Sequence, residues 1–190
     1  RLLSSAASDV YKRQSYGIGN KIIDLLPKES EIIVASRTKE GLHNKKVKHI
    51  TFNATEDLLS LEELPPKIDG FVYCPGSINL RPFKGLKSEA FLNDFELNVL
   101  GAVKCLQIIQ PLLAASEQAS VVLFSTVAVQ TGIPFHASVA ASKGALEGLG
   151  RSLAAEWAPK IRVNLIASSI TDTPLACLLY TSPSPRDAES

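Results

Sequence analysis

Residues 17–37, GIGNKIIDLLPKESEIIVASR, set a glycine-opened helix directly before a short β-branched run. Gly17 and Gly19 stand at the start, and Ile18, Ile22 and Leu25 recur at helical spacing up to Pro27. Residues 31–36, EIIVAS, are too short for a helix and apolar enough for a buried strand. Helix-then-strand order repeats outward from this pair. VKHITFN at 47–53, IDGFVYC at 68–74, SVVLFST at 120–126 and KIRVNLIA at 160–167 all read as strands. A short acidic helix is expected at about 56–63, stopped by Pro65 and Pro66. A long helix is expected at 88–114, carrying Phe91, Phe95, Val99, Leu106 and Ile109 with Asn98 embedded in it. Residues 137–157, rich in Ala, Leu and Gly, suit a helix packed closely on a neighbour. Alternation of this kind implies right-handed crossovers and an α/β, doubly wound (Rossmann-like) parallel sheet covered on both faces.

Composition narrows the function classes. The 190 residues carry a net charge of +1, so no overall charge drives the chain onto nucleic acid or an anionic membrane. Lys45, Lys46 and Lys48 read as a solvated turn. The uninterrupted apolar runs fall short of the ~20 residues that span a bilayer. Cys74, Cys105 and Cys177 lack metal-ligand spacing, no metal site is expected, and an odd count argues against a disulfide framework. A reducing, cytoplasmic setting is the expectation.

The two ends read differently from the middle. Residues 1–14, RLLSSAASDVYKRQ, show neither strand alternation nor the apolar core of a secretory signal. Residues 176–190, ACLLYTSPSPRDAES, are Ser-rich and carry Pro183 and Pro185. The sequence contains no methionine. Both ends are therefore expected to be non-native tails on a fragment, with 15–175 as an incomplete dinucleotide-binding domain that lacks its first strand and the C-terminal substrate-lid region.

In sheets of this type ligands bind beyond the carboxyl ends of the strands. That rule selects Ser36–Arg37, Asn53, Cys74–Gly76, Ser125–Thr126 and Ser168–Thr173. The glycines at a helix start offer unpaired N–H groups and the positive dipole end to a pyrophosphate, although glycines also make ordinary turns. An acid at the end of the second strand would bond a ribose 2′-hydroxyl. Arg37 stands there instead and can pair bidentately with a 2′-phosphate, which favours NADP over NAD.

GIG at 17–19, Tyr73-Cys74-Pro75-Gly76, Asn98 in NVLGAVKCLQ, Ser125–Thr126, Lys143 in ASKGALEGL and RSLAAEWAPKIRVNLIA resemble the short-chain dehydrogenase/reductase family in order and spacing. The resemblance implies a doubly wound enzyme, a homodimer or homotetramer, acting on a small-molecule substrate. It implies cofactor contacts at Ser15, Gly17, Ile18, Gly19, Arg37, Asn53, Cys74, Gly76, Lys143 and Thr173. It implies a catalytic set of Asn98, Thr126 (at the family's serine) and Lys143. Arg13 occupies the first glycine position of the family motif. A serine-rich stretch from Ser168 replaces the family's Pro-Gly opening.

The family tyrosine belongs four residues before Lys143, where Val139 stands. Valine has no proton to exchange, so acid–base work worth roughly 10²–10⁴-fold is lost from that position. His136 lies seven residues before Lys143, where enoyl-thioester reductases of the superfamily carry their tyrosine. It is either a proton donor or a polar residue of the loop entering the helix. Dienoyl-thioester reductases, which also lack the tyrosine at this spacing, give a second precedent, in which other groups stabilise the oxyanion. Ser125, Ser138 and Ser142 read as structural, and Cys74 as a small filler at the cofactor edge. The expected function is NADP(H)-dependent reduction of a carbonyl or an enoyl-thioester-like C=C bond. The alternative is a catalytically impaired cofactor-binding sensor or scaffold.

Overall fold

A computed structural model of the chain describes the backbone of residues 2–6, and residues 17–169 and 171 in full. The elements run β1 (Leu2–Ala6), α1 (Ile18–Leu25), β2 (Ile32–Ser36), β3 (Lys48–Thr51), β4 (Gly70–Tyr73), α2 (Ser88–Phe95), a π-helical segment (Glu96–Leu100), α3 (Gly101–Ala114), β5 (Ala119–Thr126), α4 (Ala128–Thr131), α5 (Ala137–Trp157) and β6 (Ile161–Ser168). The strands form one parallel sheet in the order β3-β2-β1-β4-β5-β6. This is the doubly wound order, with its switch point between β1 and β4.

The expectation of a missing first strand is corrected by this sheet. Leu2–Ala6 pairs with β2 on one side and β4 on the other, Ser5 lying opposite both Ala35 and Tyr73. LLSSA is not β-branched and has no alternation, so propensity argued against a strand. Neighbours on both sides satisfy its backbone donors and acceptors, and that tertiary pairing overrides local preference. The expected lid region after residue 175 lies outside the described residues.

Other expectations shift for local reasons. In α1 the buried side chain is Ile23, packed with Ile32, Val34 and Leu42, while Leu25 is exposed. The acidic stretch at 56–63 yields only a 3-10 turn, Leu61–Glu63. Lys45 is not solvated: its Nζ donates to the Asn20 carbonyl oxygen at 3.1 Å and pairs with Asp24, tying the loop onto α1. A short helix not expected from the sequence, α4, lies between β5 and α5.

The long helix bends its own phase. Leu106, Ile109 and Leu113 of α3 are buried against the sheet with Phe71, Val121 and Leu123, each worth roughly 1.5–3 kcal/mol of apolar burial. The π segment inserts extra backbone per turn, so residues before it face elsewhere than a continuous α-helix would place them. Phe95, expected on the core face, is therefore exposed, and Asp94 takes the buried position. The run Ser88–Ala114 also contains an 18-residue window of mean hydropathy 1.4, half of it buried in the fold. By length and composition it matches a membrane span, which uninterrupted apolar runs did not reveal. In this fold it is the core helix of the sheet.

Close packing explains the small residues. A Cβ on Gly101 would collide with the Tyr73 hydroxyl and lie 3.0 Å from the Ala54 carbonyl oxygen. A Cβ on Gly150 would lie 2.7 Å from Leu165 Cδ1, so α5 sits tightly on β6 as its composition suggested.

Candidate active site

The parallel register brings the strand ends to one rim. Ser36 aligns with Ala6 and Thr51, and Thr126 aligns with Ser168. Beyond β4, β5 and β6 lies a cleft of about 200 Å³. Its walls include Ile18, Cys74, Gly76, Thr126, His136, Val139 and Lys143 from the sequence-derived set.

Lys143 is the best-anchored of these. It projects from the second turn of α5 and is 6% exposed. Its Nζ donates to the Phe124 carbonyl oxygen at 2.8 Å and the Pro75 carbonyl oxygen at 3.4 Å. An ammonium has three protons, so one remains for the cleft. Burial pulls its pKa down to about 8, against the opposing fields of Cys74 and Asp94. Gly76 lies alongside: a Cβ there would sit 3.5 Å from Lys143 Nζ and 3.7 Å from Asn98 Oδ1.

Asn98 is fully buried within the π segment, behind the cleft wall. Its Nδ2 donates to Ser77 Oγ at 3.1 Å and to Ser142 Oγ at 2.9 Å, while Ser142 donates to the Val139 carbonyl oxygen. Its Oδ1 has no hydrogen-bond partner. A buried acceptor left open is costly unless something from the cleft, water or ligand, fills it.

Val139 is buried on the cleft wall one helical turn before Lys143 and brings no proton there. His136 caps the start of α5, its Nδ1 donating to the Pro134 carbonyl oxygen at 2.8 Å. Only Nε2 is thus left for the cleft, and it can donate only from the imidazolium form. Thr126 Oγ1 accepts from the Ala128 N–H at 3.3 Å, which leaves its own proton free to serve a ligand oxygen. Ser125 Oγ donates to Glu147 Oε1 at 2.7 Å, and Arg151 holds the other carboxylate oxygen at 3.2 Å. That is the structural role the sequence suggested for Ser125.

The remaining predicted contacts divide. Gly17 caps α1 and Gly19 is buried within it. A Cβ on Gly17 would meet no atom of the described residues. Arg37 follows β2 at the same rim but does not line the cleft. Asn53 does not line it either: its Oδ1 accepts from the Thr55 N–H and hydroxyl, closing a local turn. Ser15 and Thr173 lie outside the described residues. The sequence reading passed over Ser77, Ile78 and Ile133, which also line the cleft. Ser77, one residue past Gly76, was within reach of the strand-end rule. Ile133 sits in a loop with no pattern to mark it.

Comparison with known proteins bears on this arrangement. A family model described as enoyl-(acyl carrier protein) reductase matches residues 16–187. A tropinone reductase homolog from Arabidopsis thaliana is 36% identical over 125 residues, covering 64% of this chain and 46% of the relative. L-xylulose reductase from Bos taurus is 29% identical over 180 residues, covering 88% of this chain and 72% of that one. The chain thus spans under half the length of the tropinone reductase homolog. A short-chain dehydrogenase from Escherichia coli CFT073, solved in complex with NADPH, superposes with a TM-score of 0.78 at 21% identity, covering 98% of this chain and 83% of that one. With the doubly wound sheet and the cleft at its carboxyl rim, these matches lead to one conclusion: the chain belongs to the short-chain dehydrogenase/reductase family of oxidoreductases.

Proposed function

We propose that this chain is the cofactor-binding part of an NADP(H)-dependent oxidoreductase that reduces a carbonyl or an enoyl-thioester-like C=C bond. The observation that carries the reading is Lys143: a buried ammonium, fixed by two carbonyl oxygens, with its remaining proton facing the cleft. The glycine-opened start of α1, the unpartnered Asn98 Oδ1 and the bare edge at Gly76 suit a dinucleotide lying along this rim. NADPH would supply the hydride. Gly17, Ile18 and Gly19 would receive its pyrophosphate, Arg37 its 2′-phosphate, and Cys74, Gly76 and Lys143 the nicotinamide end. Ser15, Asn53 and Thr173 complete the proposed contacts, Asn53 through the turn it closes.

The chain's own residues divide the work on the substrate oxygen. Thr126 donates a hydrogen bond to it, and Lys143 delivers charge or a proton, in place of the hydroxyl that Val139 lacks. Asn98 keeps Ser77 and Ser142 in line behind Lys143. His136, at the entry to α5 and on the cleft wall, is the further proton donor of this proposal. A homodimer or homotetramer in a cytoplasmic setting belongs to the same proposal. Exposed Leu92, Phe95 and Leu100 on the long helix suit a subunit contact.

The test is turnover with NADPH and NADH across a panel of ketones and enoyl thioesters, for the parent and for Lys143→Met. Activity with NADPH that Lys143→Met abolishes supports the reading. Cofactor binding without turnover on any panel member points instead to the sensor or scaffold, and binding of neither cofactor ends the proposal.

A further inference from the structure

The turn after β2, on which Arg37 sits, is held by a side chain from another strand. Ser36 is 7% exposed, and its hydroxyl donates to the Thr38 carbonyl oxygen at 2.8 Å across Arg37. His49, on β3, lies 3.0 Å from the same hydroxyl oxygen through Nε2. Ser36 has a single proton and has given it to Thr38. The imidazole must therefore donate from Nε2, which fixes its tautomer. Nδ1 is left as a buried nitrogen without a partner, a position that a second proton would make more costly. Burial, followed by the charge of Lys39, lowers the His49 pKa and outweighs the opposing pull of the Thr38 and Ser36 backbone, in keeping with a neutral ring that faces this turn.

We infer that His49 is a positioning residue for cofactor selection: through Ser36 it locks the Ser36–Thr38 turn and so aims Arg37 at the 2′-phosphate of a dinucleotide. The inference rests on the reading of Arg37 as the 2′-phosphate partner. A neutral ring adds orientation without adding charge, so the attraction for phosphate stays with Arg37. Only the phosphorylated cofactor reaches this turn with a charged group. Loosening the turn should therefore weaken NADPH and leave NADH nearly unchanged.

The experiment is a fluorescence titration of the chain with NADPH and with NADH, read as the ratio of the two Kd values. His49→Phe removes the donor, His49→Gln keeps an N–H able to reach Ser36, Ser36→Ala removes the link, and Arg37→Ala tests the underlying reading. Loss of one neutral hydrogen bond corresponds to a change of about threefold to tenfold. His49→Phe and Ser36→Ala should each lower the NADPH preference by that factor, and their combination should lower it no further. His49→Gln should keep most of it. If Arg37→Ala collapses the preference while His49→Phe and Ser36→Ala leave it intact, the positioning role is wrong and the Arg37 reading stands. If Arg37→Ala changes nothing, both fall. Equal weakening of both cofactors would mark His49 as merely structural and overturn the inference. Should His49→Phe fail to fold, Ser36→Ala and His49→Gln carry the same decision.

Discussion

Lys143 Nζ donates to the carbonyl oxygen of Phe124 at 2.8 Å, so the second turn of α5 is pinned to the end of β5. One consequence is positional. Val139, four residues earlier, is held on the same cleft wall and cannot turn away from it. On the proposed reading this is the family's tyrosine position, and valine brings neither the phenol ring nor its proton.

Val139→Tyr should therefore gain function. Neighbouring Lys143 is already anchored, and the side chain at 139 faces the cleft rather than the core of the sheet. Restoring a proton donor should raise carbonyl reduction by roughly 10²-fold or more. Steady-state kcat/KM on a ketone panel reads this directly, with enoyl-thioester turnover as the contrast. A folded Val139→Tyr protein no faster than the parent on every ketone would show that the barrier lies elsewhere.

The pH profile should follow Lys143. With its pKa near 8, the ammonium is present below that pH and gives up its proton above it. If the charged form assists the substrate oxygen, reduction should fall as pH rises through about 8. In Val139→Tyr that limb should move, since a second group then shares the proton. A profile flat from pH 6.5 to 9.5, measured with chemistry limiting, would remove Lys143 from the role.

The same burial has a cost in stability, with a definite sign. Lys143 has a folded-state pKa of about 8 against its ordinary 10.5, so between those values the unfolded chain binds more protons. Its contribution to unfolding free energy therefore rises with pH across that window, by on the order of 3 kcal/mol at full relief. Below pH 8 the penalty is fully present. Lys143→Met should gain stability over the parent at pH 7, and the gap should narrow by pH 10. Urea midpoints of the two proteins at both pH values test it, because groups common to both cancel in the difference. A gap independent of pH would mean that the ammonium is solvated better than its surroundings imply.

How far the sequence reaches can be judged residue by residue. The strands at β2, β4, β5 and β6 and the helix at 137–157 were legible because apolar runs of fixed period have few alternative folds. Thr126 and Cys74 follow from the strand-end rule, a local regularity, whereas Lys143 and Val139 come from the family resemblance alone; all four line one cleft. What escaped was tertiary. β1 is a strand because β2 and β4 flank it, and nothing in LLSSA says so. Phe95 was misplaced because one π turn resets the phase of the helix before it. Asn53 follows β3 at the rim, yet its Oδ1 is taken by Thr55, a competition that residue type alone does not reveal. His49 acts across strands, and no spacing rule links it to Ser36.

A last prediction concerns how the long helix is seated behind the cleft. Tyr73, at the end of β4, is fully buried and donates to the Leu97 carbonyl oxygen at 2.6 Å, within the π segment that also holds Asn98. Gly101 passes directly over that hydroxyl, where any Cβ would collide with it, and the Ala54 carbonyl oxygen stands 3.0 Å from the same point. Gly101→Ala should thus destabilise the fold by about 1–3 kcal/mol or more through overpacking, despite the better helix propensity of alanine. Tyr73→Phe removes the colliding oxygen but leaves the Leu97 carbonyl unpaired, at about 1–3 kcal/mol of its own. The double variant relieves the worst contact and should cost less than the two singles added together, a coupling measurable by urea unfolding. Because the helix must shift in Gly101→Ala, the Asn98–Ser142 hydrogen bond should loosen as well, and turnover should drop further than stability alone accounts for. Strict additivity of the two substitutions would show that the helix accommodates a methyl by moving away from Tyr73 at no cost, and that the seating of Asn98 does not depend on this contact.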